Sequence, residues 1–227
     1  MEGFKYLKVI IILAVIPLLI FVNTHFLRNE NYYLTSSIIL VALILPFGLE
    51  YKNREPNAKK LVLTASLAAI ATIGRIAFYM IPQFKPVLAI VIISSVVVGP
   101  YEGFMVGALT GFVSNFYFGQ GPWTVWQMFA FGLTGFIAGY IFRKIKLTRL
   151  SLCIYGILSA FLIYGLIMNF ETVIMVPGPI TQKKMLSIYA AGVPVDAIHG
   201  IATYLFLFLI YQPFVEKLTR IKMKYNI

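Results

Sequence analysis

Residues 59–80 read KKLVLTASLAAIATIGRIAFYM. Two lysines open the stretch, twenty residues follow with a single charge among them, and the first half repeats small side chains at Ala65, Ala68 and Ala69. About 20 apolar residues in helical conformation span the roughly 30 Å hydrocarbon core of a bilayer, so this stretch predicts a transmembrane helix over 61–81. Arg75 lies 14 residues into that span. A charge there costs at least about 2.5–3.5 kcal/mol on insertion scales, so it must face a protein interior, serving a binding site or a structural ion pair.

The rest of the chain has the same character. It is 60% hydrophobic and 12% charged over 227 residues, with a mean hydropathy of +0.87. Soluble domains carry about 25% charged residues, which excludes an ordinary soluble enzyme. Further apolar runs fall at 6–26, 33–49, 87–98, 104–118, 124–142, 150–168 and 193–211, giving eight predicted spans in an all-α membrane protein. The first run follows Lys5 and Lys8 and has no small-residue cleavage site, so it reads as a retained helix rather than a leader. The runs at 87–98 and 104–118 are short, about 18–23 Å long at 1.5 Å per residue. Gly99, Pro100 and Gly103 separate them, a pattern that predicts irregular backbone lining a cavity.

Basic residues sort by connector. Lys5, Lys8, Lys52, Arg54, Lys59, Lys60, Arg143, Lys144, Lys146, Arg149, Lys217, Arg220, Lys222 and Lys224 all fall on one face if the chain crosses eight times. Only Arg28, Lys85, Lys183 and Lys184 fall on the other. Because lysine and arginine collect on the cytoplasmic side, the net charge of +11 reads as topology rather than nucleic-acid binding, with both termini cytoplasmic. Residues 50–60 (EYKNREPNAKK) form a charged linker that divides a two-helix hairpin and linker (1–58) from a six-helix block (59–227). No internal repeat is visible. The single cysteine, Cys153, sits in an apolar run and reads as a small packed hydrophobe; no metal site or cofactor is expected.

Polar residues concentrate on the face opposite the basic connectors. They comprise the Pro82-to-Pro86 turn, the segment around Asn115, Gln120, Trp123, Trp126 and Gln127, and a long connector from Asn169 to Gly192 that leads to Asp196 and His199. Apolar walls with a few placed polar groups build a ligand cavity. The tryptophans suit either an interfacial belt or ligand stacking. Asp196 and His199, three apart on one helix face, suit either a structural pair or a ligand contact.

Taken together, the Ala65-x-x-x-Ala69 stripe, Gly74-Arg75, the proline-bounded turn, the short helix pair and SNFYFGQGPWTVWQM (114–128) resemble the substrate-binding S component of an energy-coupling factor (ECF) transporter. The resemblance covers the six-helix block; the two-helix extension departs from it. It implies a multi-pass plasma-membrane subunit, not an enzyme, that captures a vitamin or micronutrient. Such a subunit docks on a membrane coupling subunit driven by two cytoplasmic ATPases, and the chain has no GxxxxGK[ST] phosphate loop of its own. Docking would use Ala65, Ala68 and Ala69. The ligand would meet Arg75, Gln83, Phe84, Lys85, Asn115, Gln120, Trp123, Trp126, Gln127, Asp196 and His199. The GQGPWT segment is similar to that of corrinoid S components, which makes cobalamin or a precursor the expected cargo; a queuosine precursor, a pterin and a flavin are alternatives. A self-sufficient secondary transporter and an intramembrane enzyme built on Asp196 and His199 are the competing classes.

Overall fold

A computed structural model describes residues 2–27, 30–51 and 56–227. Arg28, Lys52 and Arg54, used above in the charge pattern, lie outside the described residues, as does part of the 50–60 linker. Every regular element among the described residues is helical. Helix α1 runs as Glu2–Ile10, a π-helical turn Ile11–Val15 and Ile16–His25; α2 is Tyr32–Tyr51 and α3 Pro56–Ala77. Next come α4 (Val87–Val98), α5 (Pro100–Phe118) and α6 (Trp123–Ile141). Helix α7 combines Arg149–Ser159, a π-helical turn Ala160–Gly165 and Leu166–Met175, and α8 is Gln182–Tyr225. Five of these helices are long and apolar enough to cross a membrane, and α2 and α4 contain shorter apolar stretches.

Helix α4 is the centre of the bundle. It is apolar on every side, and all twelve of its residues except Val96 are buried. A helix that is hydrophobic all round must be enclosed by others, and α3, α5, α6 and α8 enclose this one. Gly99, at φ 151°, turns the chain sharply into α5, which starts at Pro100, four residues earlier than the apolar run suggests. Proline at the first helical position lacks only an N–H that would be unpaired anyway. Glu102, in that first turn, is drawn into the helix by its ion pair with Lys60 at 2.7 Å. The expectation of two short broken helices therefore holds for α4 alone.

Helices α5 and α6 approach closely through glycines. A Cβ on Gly107 would lie 2.5 Å from the Gly132 nitrogen, and one on Gly135 would lie 2.9 Å from the Gly103 carbonyl. Lipid offers no hydrophobic driving force between helices, so close van der Waals contact of small residues takes its place. On the far side of this pair, α1 and α2 bury Ile12, Ile16, Ile39 and Leu43 against Phe104, Met105 and Met128. The Tyr101 hydroxyl donates to the Leu43 carbonyl at 2.6 Å. The hairpin is thus packed into the same bundle as the six-helix block.

The long outer connector expected between 169 and 192 is mostly helix. Helix α7 continues to Met175, and α8 begins at Gln182, where the Thr181 side chain caps it by accepting from the Lys184 amide. Residues 182–191 contain no glycine or proline, so a polar stretch read as loop simply continues the 44-residue helix. The remaining connector is 176–181. The two ends of the bundle are chemically unlike. At one, Lys60 meets Glu102, the Lys222 ammonium donates to the Val97 carbonyl at 2.9 Å, and Arg149 donates to Gln212 at 3.2 Å. The other end holds the cavity.

Candidate functional site

Arg75, in the last turn of α3, anchors the site. It is 8% exposed, and its described hydrogen bonds both come from Nη1, to the Ser114 hydroxyl and to Asn115 Oδ1, the latter at 2.9 Å. Its guanidinium lies 4.4 Å from the centre of the Phe118 ring and 5.7 Å from that of Phe131. A cation over an aromatic face gains about 0.5–2 kcal/mol, more where water is excluded.

The segment 114–124 is built to hold this arginine. Asn115 Nδ2 donates to the Thr124 hydroxyl at 3.2 Å, Thr124 donates to Gln120 Oε1 at 2.9 Å, and Gln120 Nε2 donates to the Phe112 carbonyl at 2.8 Å. The network stitches the end of α5 to the start of α6 across the Gly119–Pro122 turn, fixing the Asn115 oxygen toward Arg75. Asn115 and Gln120 therefore position Arg75, and neither lines the cavity.

The cavity has a volume of about 310 Å³ and is lined by Arg75, Tyr79, Gln83, Lys85, Phe118, Gln127, Phe131, Tyr164 and His199 among others. One wall is aromatic: Phe131 and Tyr164 stack at 4.8 Å, and Tyr164 meets the His199 ring edge-on at 4.6 Å. Tyr164 sits in the π-helical turn of α7; such turns re-aim a side chain out of helical register and recur at functional sites. Gln127 Nε2 donates to the Tyr164 hydroxyl at 3.0 Å. Gln127 Oε1 and His199 Nδ1 are buried with no protein partner, and buried polar atoms left unpaired call for an explanation.

The 78–86 turn forms the lip. Phe84 N donates to the Pro82 carbonyl at 2.7 Å across Gln83, which has φ +56°. This is a tight three-residue turn in a region that non-glycine residues seldom occupy, and such conformations cost of order 1–3 kcal/mol. The Lys85 ammonium donates to the Ile81 carbonyl at 3.0 Å and lies 5.4 Å from the Phe118 ring centre. Burial, with Arg75 close by, pushes its pKa below the ordinary lysine value. Phe84 packs instead on Phe78 and Phe206, closing the lip from behind.

Five of the expected ligand residues thus line one cavity: Arg75, Gln83, Lys85, Gln127 and His199. Others point elsewhere. Trp123 is 42% exposed and folds back over Gly121. Trp126 faces the hairpin, meeting Phe170 edge-on at 5.9 Å and lining a separate apolar cavity of about 360 Å³ with Ile20, Phe21 and Thr24. Asp196 does not bond to His199; it accepts from Asn169 Nδ2 at 3.0 Å. Phe118, Phe131, Tyr164 and Tyr79, absent from the sequence-based set, supply the aromatic wall. Along α3, Ala65 and Ala69 are exposed together with Val62, Ser66 and Ile73, while Ala68 is buried inside the bundle. Ala68, about 100° round the helix from Ala69, is turned into the bundle and packs the core rather than offering a docking face.

A helical membrane bundle with a polar-studded aromatic cavity at one end has the form of a small-molecule binding protein. The family described as ECF-type riboflavin transporter, S component, matches residues 55–219, well over half of the chain. The chain belongs to that family, whose members are membrane-embedded transport subunits, not enzymes, that bind a small-molecule substrate and assemble with ECF components. It is also similar to three UPF0397 proteins. That of Aliivibrio fischeri (strain MJ11) is 35% identical over 88 residues, covering 37% of this chain and 48% of the relative. That of Vibrio atlanticus is 32% identical over 100 residues (42% and 54%), and that of Photobacterium profundum is 37% identical over 101 residues (42% and 54%). The chain thus spans about half the length of the curated relatives it matches. No solved structure matches it significantly.

Proposed function

We propose that this chain captures a small, planar, flavin- or pterin-sized nutrient at the outer face of the plasma membrane and delivers it through an ECF-type importer. The observation that carries this reading is the cavity of about 310 Å³, bounded by Phe118, Phe131 and Tyr164 with Arg75 in its wall. Its volume falls at the low end of the roughly 300–1,000 Å³ usual for small-molecule sites. The stacked pair offers a flat surface to an aromatic ring, and the riboflavin named for the family's S components is such a molecule. A corrinoid is several times too large, and Gln120, Trp123 and Trp126, on which a broad amide-rich site would rest, lie outside this cavity.

The topology that goes with this function is eight crossings, with both termini and the end holding Lys60, Arg149 and Lys222 in the cytoplasm. Residues 59–227 form the capturing block, and 1–58 brace its α5–α6 side. Ligand contacts come from Arg75, Gln83, Lys85, Gln127 and His199, with Asn115 and Gln120 holding Arg75 in place. Ala65 and Ala69 present the docking strip to a membrane coupling subunit driven by two cytoplasmic ATPases. Small residues at that strip let a partner helix approach closely.

Reconstitution tests the scheme. The purified chain should bind its nutrient without ATP, while liposomes containing it should accumulate nutrient only when the coupling subunit and ATPases are also present. Uptake by the chain alone at the full rate would instead establish a secondary transporter.

A further inference from the structure

Arg75 and Lys85 both lie over one aromatic ring, Phe118, at 4.4 and 5.4 Å from its centre. Neither makes an ion pair with a carboxylate among the described residues. The acidic side chains on the neighbouring helices are turned to other partners: Asp196 accepts from Asn169 at 3.0 Å and Glu171 from Thr172 at 3.3 Å. The protein groups that hydrogen-bond to Arg75 or lie under its guanidinium are neutral: Ser114, Asn115 and two phenyl rings. Two cations held together at the edge of a low-dielectric interior repel each other, and an uncompensated buried charge is strongly unfavourable. The contrast with the other end of the bundle, where Lys60 is given Glu102 at 2.7 Å, is direct.

We propose that the molecule captured here carries an acidic group, a carboxylate or a phosphate, on its planar ring system, and that Arg75 and Lys85 receive that group together. The guanidinium is a planar fork of N–H donors suited to two anionic oxygens at once, and only Nη1 is engaged by the protein. Lys85 supplies a compact second charge from the lip. Deeper in, Gln127 Oε1 accepts an N–H from the ring edge and His199 Nδ1 bonds a second ring atom, so these two unpartnered atoms of the cavity wall each gain a partner. This assignment rests on the reading of the chain as a ligand-capturing subunit and narrows its cargo to acid-bearing molecules.

The test uses two matched pairs differing only in the acidic group: riboflavin with flavin mononucleotide, and pterin with pterin-6-carboxylate. Binding to the purified full chain is measured by calorimetry in gluconate buffer, which keeps chloride from competing. In whichever ring class fits, the acidic member should bind at least about tenfold more tightly, or ~1.4 kcal/mol. Lys85→Gln should shrink that preference to within about threefold and Lys85→Arg should retain it, since the effect is one of charge. Lys85 lies in a turn outside the helices, and unchanged thermal melting of both variants separates loss of charge from loss of fold. Equal binding within a pair, or preference for the neutral member, overturns the inference while leaving the capture function standing. Binding of no member of either pair contradicts the proposed cargo class itself, and the inference with it.

Discussion

The two ends of this bundle handle charge in opposite ways. At the basic end, Lys60 finds Glu102, Lys222 finds the Val97 carbonyl, and Arg149 finds Gln212. At the cavity end, Arg75 and Lys85 meet over one ring with no carboxylate between them, and two buried polar atoms stand unpaired behind them. The Lys60–Glu102 pair shows that this bundle can supply a carboxylate to a part-buried cation. The cavity end is left incomplete where a ligand would complete it.

Substitutions that break this contrast rank by size. The largest effect is expected from Ala69→Trp, a bulky ring on the exposed strip of α3. Uptake in reconstituted liposomes should fall by more than about 100-fold, because close helix approach depends on small side chains. Ligand affinity measured by calorimetry on the same protein should stay within about twofold, since Ala69 is exposed and stands about 9 Å along the helix from the buried Arg75. Arg75→Ala follows. Removing charge-assisted hydrogen bonds worth about 1.5–3 kcal/mol each should weaken ligand binding on the order of 100-fold, with little change in the melting temperature, because the lost desolvation penalty offsets the lost bonds to Ser114 and Asn115.

Glu102→Gln probes the opposite end. The Glu102 side chain is 4% exposed and that of Lys60 27%, so Lys60 relaxes toward water and the loss is smaller than for a fully enclosed pair. A destabilisation on the order of 1–3 kcal/mol is expected by thermal melting, with ligand affinity unchanged. The smallest effect belongs to Gln83→Gly at the lip. Relief of the positive φ should stabilise the protein by about 1 kcal/mol, while the missing side chain weakens binding less than about tenfold. If melting temperature fell instead, the turn would be held by the Gln83 side chain rather than strained around it.

Much of this was readable in the sequence. An arginine deep in an apolar helix has to face protein, and it does. Asn115 and Gln120, expected from the sequence as ligand contacts, instead form the network that steadies Arg75. The aromatic wall was not readable, because 19 phenylalanines and 14 tyrosines leave Tyr164 and Phe131 undistinguished until a π-helical turn rotates one onto the other. Trp126 was misplaced for a related reason. Which side of α6 faces the appended hairpin depends on the α5–α6 glycine contacts, which periodicity alone does not orient. Ala68 likewise shares a sequence pattern with Ala65 and Ala69, but it is buried where they are exposed. The length of α8 was hidden because Gln182, Lys183 and Lys184 at its start have the composition of a loop.

Native mass spectrometry of the chain purified from its own membranes, wild type beside Arg75→Ala, bears most directly on whether the cavity end is a capture site. The wild-type protein should carry a small molecule in the mass range of a single flavin or pterin, released at higher collision energy, and the variant should carry little or none. A cargo of corrinoid mass, or any small molecule held equally by both proteins, would show that the ligand sits elsewhere and that the unpaired arginine serves another purpose.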